Sequence, residues 1–488
     1  MTRTTIRPRA PSVAALLVAL IAPAWLAALG GCAVGPNYKP VTPQQLFPEH
    51  FPAPGAAPDA ATLPGDWWRS FEDPGLDMLV AAALRNSPDV SAAEAHVRAS
   101  RAALAQAGSA GLPQLDAQAR AGRDQFSRNG ESFANIPFSN PKSTFHDERV
   151  EFDASWEVDL FGHTARTVEA ASARMQGMQA QRADIELRVS AETARNVLDF
   201  RYLSLRIAAA DAAVSANEQV VQLVRLQRDV GLASDTEVQQ AELGLSGARA
   251  ALPTLRSAAR ASIAALLPLT TLTEQQIAAS LGSAQHMPAL PPARAFAASS
   301  TVLERRPDVR SAERALAAAT ADVGEATADR YPRFTLLADG GWDSIHPGEL
   351  LQQASRFWNI GPQLYLPLFN GGRVEAGIQS AQAGRDAAQA SYRKAVLTAL
   401  ADVESAMLRC QADDGRLVES AAALELQRRQ VDLERMRVDV GESPRIDLLA
   451  DQLRQIAAED QQLAIRQSLS ENLVLVYKAL GGGTPAAE

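Results

Sequence analysis

From Val150 to Leu160 the chain alternates without a break. Val150, Phe152, Ala154, Trp156, Val158 and Leu160 fall on one side, and Glu151, Asp153, Ser155, Glu157 and Asp159 on the other. A period of two with one apolar and one charged face predicts a strand. Further alternations run from Leu115 to Ala121 and from Trp358 to Leu368, and a weaker one from Phe334 to Trp342 is interrupted by Gly340 and Gly341. Between them the period changes. Leu187, Ala191, Ala194, Leu198, Tyr202, Leu205, Ala209 and Ala212 recur at steps of three or four, inside a proline-free stretch from about His163 to Val230. That spacing predicts one helix, on the order of 100 Å long at about 1.5 Å per residue. No compact domain needs such a length, so the helix must lie along a partner.

The same reading predicts helices over about Pro74–Gly111, Ser234–Leu267 with a kink at Pro253, Ser300–Asp329, Arg373–Val440 and Pro444–Leu480. Gly231-Leu232-Ala233-Ser234 breaks the first long helix, and Ser234 with Glu237 three residues later forms a capping box. Gly441-Glu442-Ser443-Pro444 makes the matching break, with Ser443 expected as N-cap and Pro444 at the first helical position.

The plan occurs twice. Pro88-Asp89-Val90 opens a stretch that closes at Pro113, and Pro307-Asp308-Val309 opens one that closes at Pro332. Val90, Ala93, Glu94, Val97 and Ala107 meet Val309, Ala312, Glu313, Leu316 and Ala326. Leu160-Phe161-Gly162 echoes Leu368-Phe369-Asn370, and Asp229-Val230-Gly231 echoes Asp439-Val440-Gly441. The expected organisation is therefore two copies, residues 74–270 and 300–481, joined by a proline-containing linker over 271–299 and followed by a tail over 482–488.

The N-terminus reads as a targeting segment. Arg3, Arg7 and Arg9 form a basic start, Val13 to Leu29 an apolar stretch, and Leu29-Gly30-Gly31-Cys32 a bacterial lipobox. Residues 1–31 are thus expected to be a signal peptide, and Cys32 the site of lipid attachment. Residues 32–73 then begin as a Pro-rich extended segment with no period. Cys410 is the other of the two cysteines, expected as a small buried residue of a helix.

Charge narrows the partners. The net charge is −9, and removing three arginines with the signal makes it more acidic still, which argues against nucleic acid. Aromatic residues are only 5%, which argues against a conventional aromatic core. There is no HExxH, P-loop, Rossmann glycine run, Gly-x-Ser-x-Gly or CxxC, and the six histidines show no ligand spacing. No catalytic residue, no metal and no cofactor beyond the lipid at Cys32 is expected. A coiled-coil structural lipoprotein would account for the helices but not for the alternating strands.

Strands of about ten residues with one apolar and one charged face fit a membrane-spanning β-barrel. Four strands cannot close one, since about eight are the minimum, and an open edge is not tolerated in lipid. Several chains would then have to contribute four strands each.

These residues resemble a known family. Cys32-Ala33-Val34-Gly35-Pro36-Asn37-Tyr38-Lys39-Pro40 is similar to the lipidated start of the TolC/OprM (NodT-type) outer-membrane efflux factors. Trp67-Trp68 with Phe71, Asp73, Leu76 and Leu79, then Ser87-Pro88-Asp89, resembles that family's entry into its first repeat. Asp159-Leu160-Phe161-Gly162, Val230-Gly231-Leu232, Arg305-Arg306-Pro307-Asp308-Val309, Pro367 to Arg373 and Tyr477 to Gly482 match further signatures.

The resemblance implies a mixed α/β membrane protein. A trimeric outer-membrane β-barrel, four strands per chain, would continue into a long periplasmic α-helical barrel built from the two repeats. It implies the exit duct of a tripartite efflux pump for drugs or other small toxic solutes, lipid-anchored in the bacterial outer membrane. The partners would be a periplasmic adaptor and an inner-membrane pump of RND type; the alternative is the outer component of a type I protein-secretion system. Val230, Gly231, Leu232, Val440 and Gly441 would form the tip that docks the adaptor. Asp447, with Asp235 and Glu237, would narrow the periplasmic aperture, although Asp235 and Glu237 equally fit first-turn acids that satisfy a helix dipole. Ala450 stands where some members carry a second acid. Glu151, Asp153, Glu157 and Asp159 would line the pore and favour cations, and the loops Phe126–Asp147 and Asp343–Phe357 would face outward.

Overall fold

The protein, examined as a computed structural model, is described over residues 33–47, 65–125, 127, 143–282, 287–291, 300–346 and 348–482. The leader and Cys32 lie outside the described residues. So do most of the segment between α1 and Trp67, most of the Phe126–Asp147 loop, and parts of the linker and tail. The described chain is mostly helical with one small antiparallel sheet. In chain order, α1 (Pro43–Leu46) and a 3-10 turn (Trp67–Phe71) precede α2 (Pro74–Asn86), α3 (Pro88–Ser109), β1 (Gln114–Gln125) and β2 (Thr144–Val158). There follow α4 (His163–Asp229), α5 (Asp235–Thr270), α6 (Glu274–Leu281), α7 (Ser300–Arg305) and α8 (Pro307–Ala328). The chain continues through β3 (Arg333–Ser344), a second 3-10 turn (Gln353–Ser355), β4 (Arg356–Tyr365), α9 (Arg373–Asp439) and α10 (Arg445–Ala479).

The elements pair by length. The helices α3 and α8 each have 22 residues, α4 and α9 each 67, and α5 and α10 have 36 and 35. They divide between two compact units. One takes the described parts of Met1–Lys39, Ala99–Met175 and Arg314–Gln389; the other takes Pro40–Arg98, Gln176–Glu313 and Ala390–Glu488.

In the first unit the strands pair in the order β1-β2-β3-β4, each antiparallel to the next. The segment after Cys32 closes onto the same unit. Val34 donates its N–H to Phe161 O, and Arg166 donates to Val34 O at 3.1 Å and to Asn37 Oδ1 at 2.7 Å. Gly35 lies so near Gly324 that a Cβ on Gly35 would meet the Gly324 Cα at 2.5 Å. Tyr38 then covers Ala173, Ala317 and Ala318, with the Arg314 guanidinium 5.7 Å from its ring.

In the second unit Trp67 stacks on Tyr477 with centroids 5.1 Å apart. Phe71, Leu76, Leu79, Leu198, Leu266 and Ile277 are fully buried, each contributing about 1.5–3 kcal/mol. The pairs Asp211–Arg256, Glu218–Arg249 and Arg225–Glu242 run in opposite senses along α4 and α5, making them antiparallel. Gln430–Asp451, Arg428–Glu459 and Asp413–Ser468 do the same for α9 and α10. Exposed pairs of this kind contribute little. Buried Val221, Val224, Val238 and Leu252, and Leu424, Val431, Leu449 and Ile465, carry the hairpins.

Several expectations are corrected. The helix expected over Pro74–Gly111 breaks at Ser87, and the one over Ser300–Asp329 breaks at Arg306. Each break precedes a proline, whose ring pushes the preceding residue out of the α region; Ser87 sits at φ −58°, ψ 128°. The carbonyls of Ser87 and Arg306 then accept the first bonds of the next helix, from Ser91 and Arg310. Ser443 is not the N-cap of α10. Pro444 holds that place without a side-chain bond, and the Ser443 hydroxyl turns to Glu434. The stretch 271–299 includes α6, opened by a Thr273–Gln276 capping box, and the Pro-rich segment includes α1, opened by a Thr42–Gln45 box. β2 ends at Val158, so Asp159 and Leu160 leave the sheet.

Candidate channel face and helix turns

The register gives the sheet two unlike faces. Val150 lies opposite Ala119 and Trp342, Phe152 opposite Ala117 and Gly340, Ala154 opposite Leu115 and Ala338, and Trp156 opposite Leu336. β3 carries this row to β4, where Phe334 meets Leu364, Ala338 meets Ile360 and Gly340 meets Trp358. The apolar face is open. Phe152 is 46% exposed, Leu115 71% and Trp358 79%. Isolated in water such a face is unfavourable, which marks it for an apolar partner.

The other face gathers the acids. Asp116, Asp153, Asp339 and Asn359 stand in one row across the four strands. Like charges directly opposite repel. Amides offset part of this, with Gln118 Nε2 donating to Asp153 Oδ2 and Asn359 Nδ2 to Asp339 Oδ1, both at 3.1 Å. Glu151 pairs with Arg149 at 2.5 Å. Glu157, opposite Thr335, shares this side. Three of the four expected pore acids, Glu151, Asp153 and Glu157, therefore lie together. Asp159 does not join them. Its Oδ2 accepts the backbone N–H of Ala165 at 2.8 Å, so it serves the first turn of α4. Asp116 and Asp339 complete the row and were missed, because a single strand's alternation does not show which residues its neighbours bring opposite.

The two helix turns share one backbone design. Leu232 donates its N–H to Gln227 O and Gly231 to Arg228 O; Glu442 donates to Arg437 O and Gly441 to Val438 O. This six-to-one and five-to-two pattern is a Schellman motif, whose penultimate residue takes positive φ. Gly231 has φ +80° and Gly441 φ +78°, and a Cβ on either would meet nothing within 4 Å among the described residues. The requirement for glycine here is conformational. Leu232 at the motif's end is 79% exposed, with Val230 at 70% and Val440 at 71%. The apolar residues of the turns are left outward and are not folded back against their helices.

The polar residues of the turns differ. At the first, Glu237 Oε2 accepts from Ser234 N at 2.6 Å and from Ser234 Oγ at 2.8 Å, completing the capping box. Those bonds, the backbone one first, hold its carboxyl below the ordinary value. Asp235 is exposed, with Arg228 3.9 Å away. At the second, Asp447 is exposed and accepts weakly from Ser443 Oγ at 3.4 Å. Ser443 donates more closely to buried Glu434, which also pairs with Arg437 at 3.0 Å. Asp451 is buried and bonds Gln430 and Arg454, so it is held between α9 and α10. Glu434 escaped the sequence reading because it reaches the turn from nine residues upstream.

Cys410 is buried in α9, and burial pushes its thiol up to about 11, an inert side chain as expected. Among the described residues no cluster of His, Cys, Asp or Glu could hold a metal ion, and no helix is long and apolar enough to cross a membrane.

Comparison with known proteins gives this arrangement its context. A pyoverdine export outer membrane protein, OpmQ of Pseudomonas aeruginosa, is 31% identical over 86% of this chain and 87% of its own. Nodulation protein T of Rhizobium leguminosarum is 28% identical over 94% and 92%. The solved outer-membrane channel OprN has the same fold at a TM-score of 0.80, with 28% identity over 93% of this chain and all of that one. The model of the family described as outer membrane efflux protein matches twice, over residues 79–271 and 298–482, and the chain belongs to that family.

Proposed function

We propose that the chain is the outer-membrane exit duct of a tripartite efflux pump, carrying small toxic solutes from periplasm to exterior. The observation that carries this reading is the two-faced sheet with free edges on β1 and β4. An unpaired edge is excluded from lipid, and four strands do not close. Three copies would supply about twelve strands, with the apolar rows toward lipid and the acid rows toward water. The doubled family match supports reading residues 74–270 and 300–481 as two repeats, giving a trimer six similar staves. Relatives named as an export protein and an outer-membrane channel support efflux over the protein-secretion alternative.

The protein is a conduit and does no covalent chemistry, so it needs no cofactor. Lipid on Cys32 would add an anchor to the barrel. The strap of Ala33–Tyr38 supports this, since it fixes the residues that follow Cys32 against Phe161 and Arg166. Val230, Leu232 and Val440 are the apolar contacts offered to a periplasmic adaptor, itself joined to an inner-membrane pump of RND type. Asp447 and Asp235 are the acids free to ring the periplasmic aperture, whereas Glu237 serves its helix.

Reconstitution into planar bilayers with a native mass measurement tests the reading. An oligomer that migrates differently with and without heating, and that conducts with a cation preference, is expected. A monomer without conductance sinks the channel; an anion-selective reversal potential sinks the role given to Glu151, Asp153 and Glu157.

A further inference from the structure

Within the second unit α4 and α10 meet along one seam. Gln467 Nε2 donates to Asp199 Oδ1 at 3.1 Å, and Arg206 pairs with Asp460 at 2.7 Å. Asp199 to Arg206 and Gln467 to Asp460 are both steps of seven, taken in opposite directions, so the seam is antiparallel and joins the two repeats. On these stretches Leu198 and Tyr202 of α4 and Ser470 and Val474 of α10 are buried. Beyond Arg206 and Asp460 the seam opens into a groove of about 440 Å3, lined by Ala209 and Ala213 of α4, Leu255 of α5, and Leu453 and Ile456 of α10. Contact is lost across that gap, which leaves more of the hold between α4 and α10 to the polar groups before it.

Those groups include two carboxyls. Glu471, one turn along α10 from Gln467, hydrogen-bonds Asp199 across the seam, and both side chains are half-buried. Ionised carboxylates only accept, so this bond needs a proton kept between the two. Burial first, then Asp199, favours keeping it and holds the Glu471 carboxyl up to about 7, against the pull of Arg195 on α4 and a hydrogen bond from Gln467. The other charges nearby are engaged. Asp460 is paired with Arg206, Arg466 of α10 lies near Tyr202 and reaches Met287, and Asp413 of α9, paired with Arg416, holds Ser468 and Asn472. Once the proton leaves, two like charges stand within hydrogen-bond reach and repel.

We propose that Asp199 and Glu471 form a proton-dependent clasp between the two repeats. Sharing one proton, they hold α10 against α4; ionised, they loosen the seam and free the second hairpin to move on the first. The acidity of the water around the helices would then set how freely the duct conducts. That last step rests on the duct reading above, whereas the clasp itself does not.

Hydrogen exchange on the full chain tests the clasp, read over residues 195–202 and 467–474 and corrected for the intrinsic effect of pH on exchange. Native protection should fall about tenfold from pH 6 to pH 8, the factor expected when one group titrating near 7 shifts an equilibrium. Glu471→Gln should keep the pH 6 protection at both values, because its amide donates where the shared proton did. Asp199→Asn should do the same from the other side of the seam. In bilayers the native protein should conduct more at pH 8 than at pH 6, and Glu471→Gln should conduct equally at both. Native protection that does not change with pH, or that changes equally in both variants, would overturn the clasp and leave the duct standing. Protection that responds as expected in a protein without conductance at either pH would overturn the duct and leave the clasp. Protection that responds while native conductance stays constant would overturn the link between them.

Discussion

Arg201 donates from Nε to Asp73 Oδ2 at 2.8 Å, 128 residues away in the chain, and both side chains are buried. Asp73 also caps α2, accepting the N–H groups of Gly75 and Leu76. Burial pushes its carboxyl up; Arg201 and the two backbone donors more than reverse this and hold it below the ordinary value. The pair therefore ties α4 to the entry of the first long repeat.

Removing one partner of a buried pair strands the other. Asp73→Asn is expected to cost about 3–5 kcal/mol. Since the folded pKa is lowered, the stabilisation is complete above the ordinary carboxylate value near 3.8 and lost as pH falls through the folded one. Melting curves from pH 7 to pH 3 should show an acid loss in the native protein that is smaller in Asp73→Asn. Equal acid losses would refute the assignment.

Glu471 predicts the opposite slope. Burial first, then the neighbouring Asp199 carboxylate, push it up to about 7. Its stabilising contribution is complete below about 4.5 and is lost as pH rises through about 7. Glu471→Gln should flatten stability between pH 5 and pH 8 and raise it at pH 8. Unchanged pH dependence in that variant would remove Glu471 from the account.

The turns separate conformation from docking. Gly231→Ala or Gly441→Ala forces an L-residue into positive φ, at about 1–2 kcal/mol. Leu232→Asp changes only an exposed side chain and should leave the melting temperature alone. Its expected loss is adaptor-dependent resistance to toxic solutes. Wild-type resistance with Leu232→Asp would remove that side chain from the docking surface.

Aperture chemistry separates the acids in the same way. Asp447→Asn should alter single-channel conductance with little effect on stability, because among the described residues its carboxylate has only a distant hydroxyl partner. Glu237→Gln should loosen the start of α5 through the lost capping box and leave conductance unchanged. Bilayer recordings paired with thermal melts read both. The reverse pattern would exchange their roles.

Tyr202 is buried, its hydroxyl has no hydrogen-bond partner among the described residues, and burial pushes it up to about 12. A buried polar group without a partner costs about 1–3 kcal/mol. Tyr202→Phe should therefore match or exceed the native melting temperature. A clear loss of stability would show that the hydroxyl is satisfied.

Much of the candidate site was legible because it is periodic or local. The apolar row on β2 follows from a period of two, and the Ser234–Glu237 box from a spacing of three. The breaks at Ser87 and Arg306 were equally local, since proline restricts its predecessor, but the helical period ran through them and hid them. What was hidden for another reason is the set of groups joined across distance. Arg166 on Asn37, Glu434 on Ser443, and the Asp116–Asp153–Asp339 row depend on how elements meet.

The sequence by itself determined the alternation, the long helices, their glycine turns and the doubled plan, because each follows from backbone preference and burial period over a few neighbouring residues. Tertiary structure alone decided which carboxylates face one another and which of two matching phenylalanines is covered. Those outcomes depend on register and packing between residues distant in the chain, where Phe161 finds Tyr331 and Phe369 stays exposed.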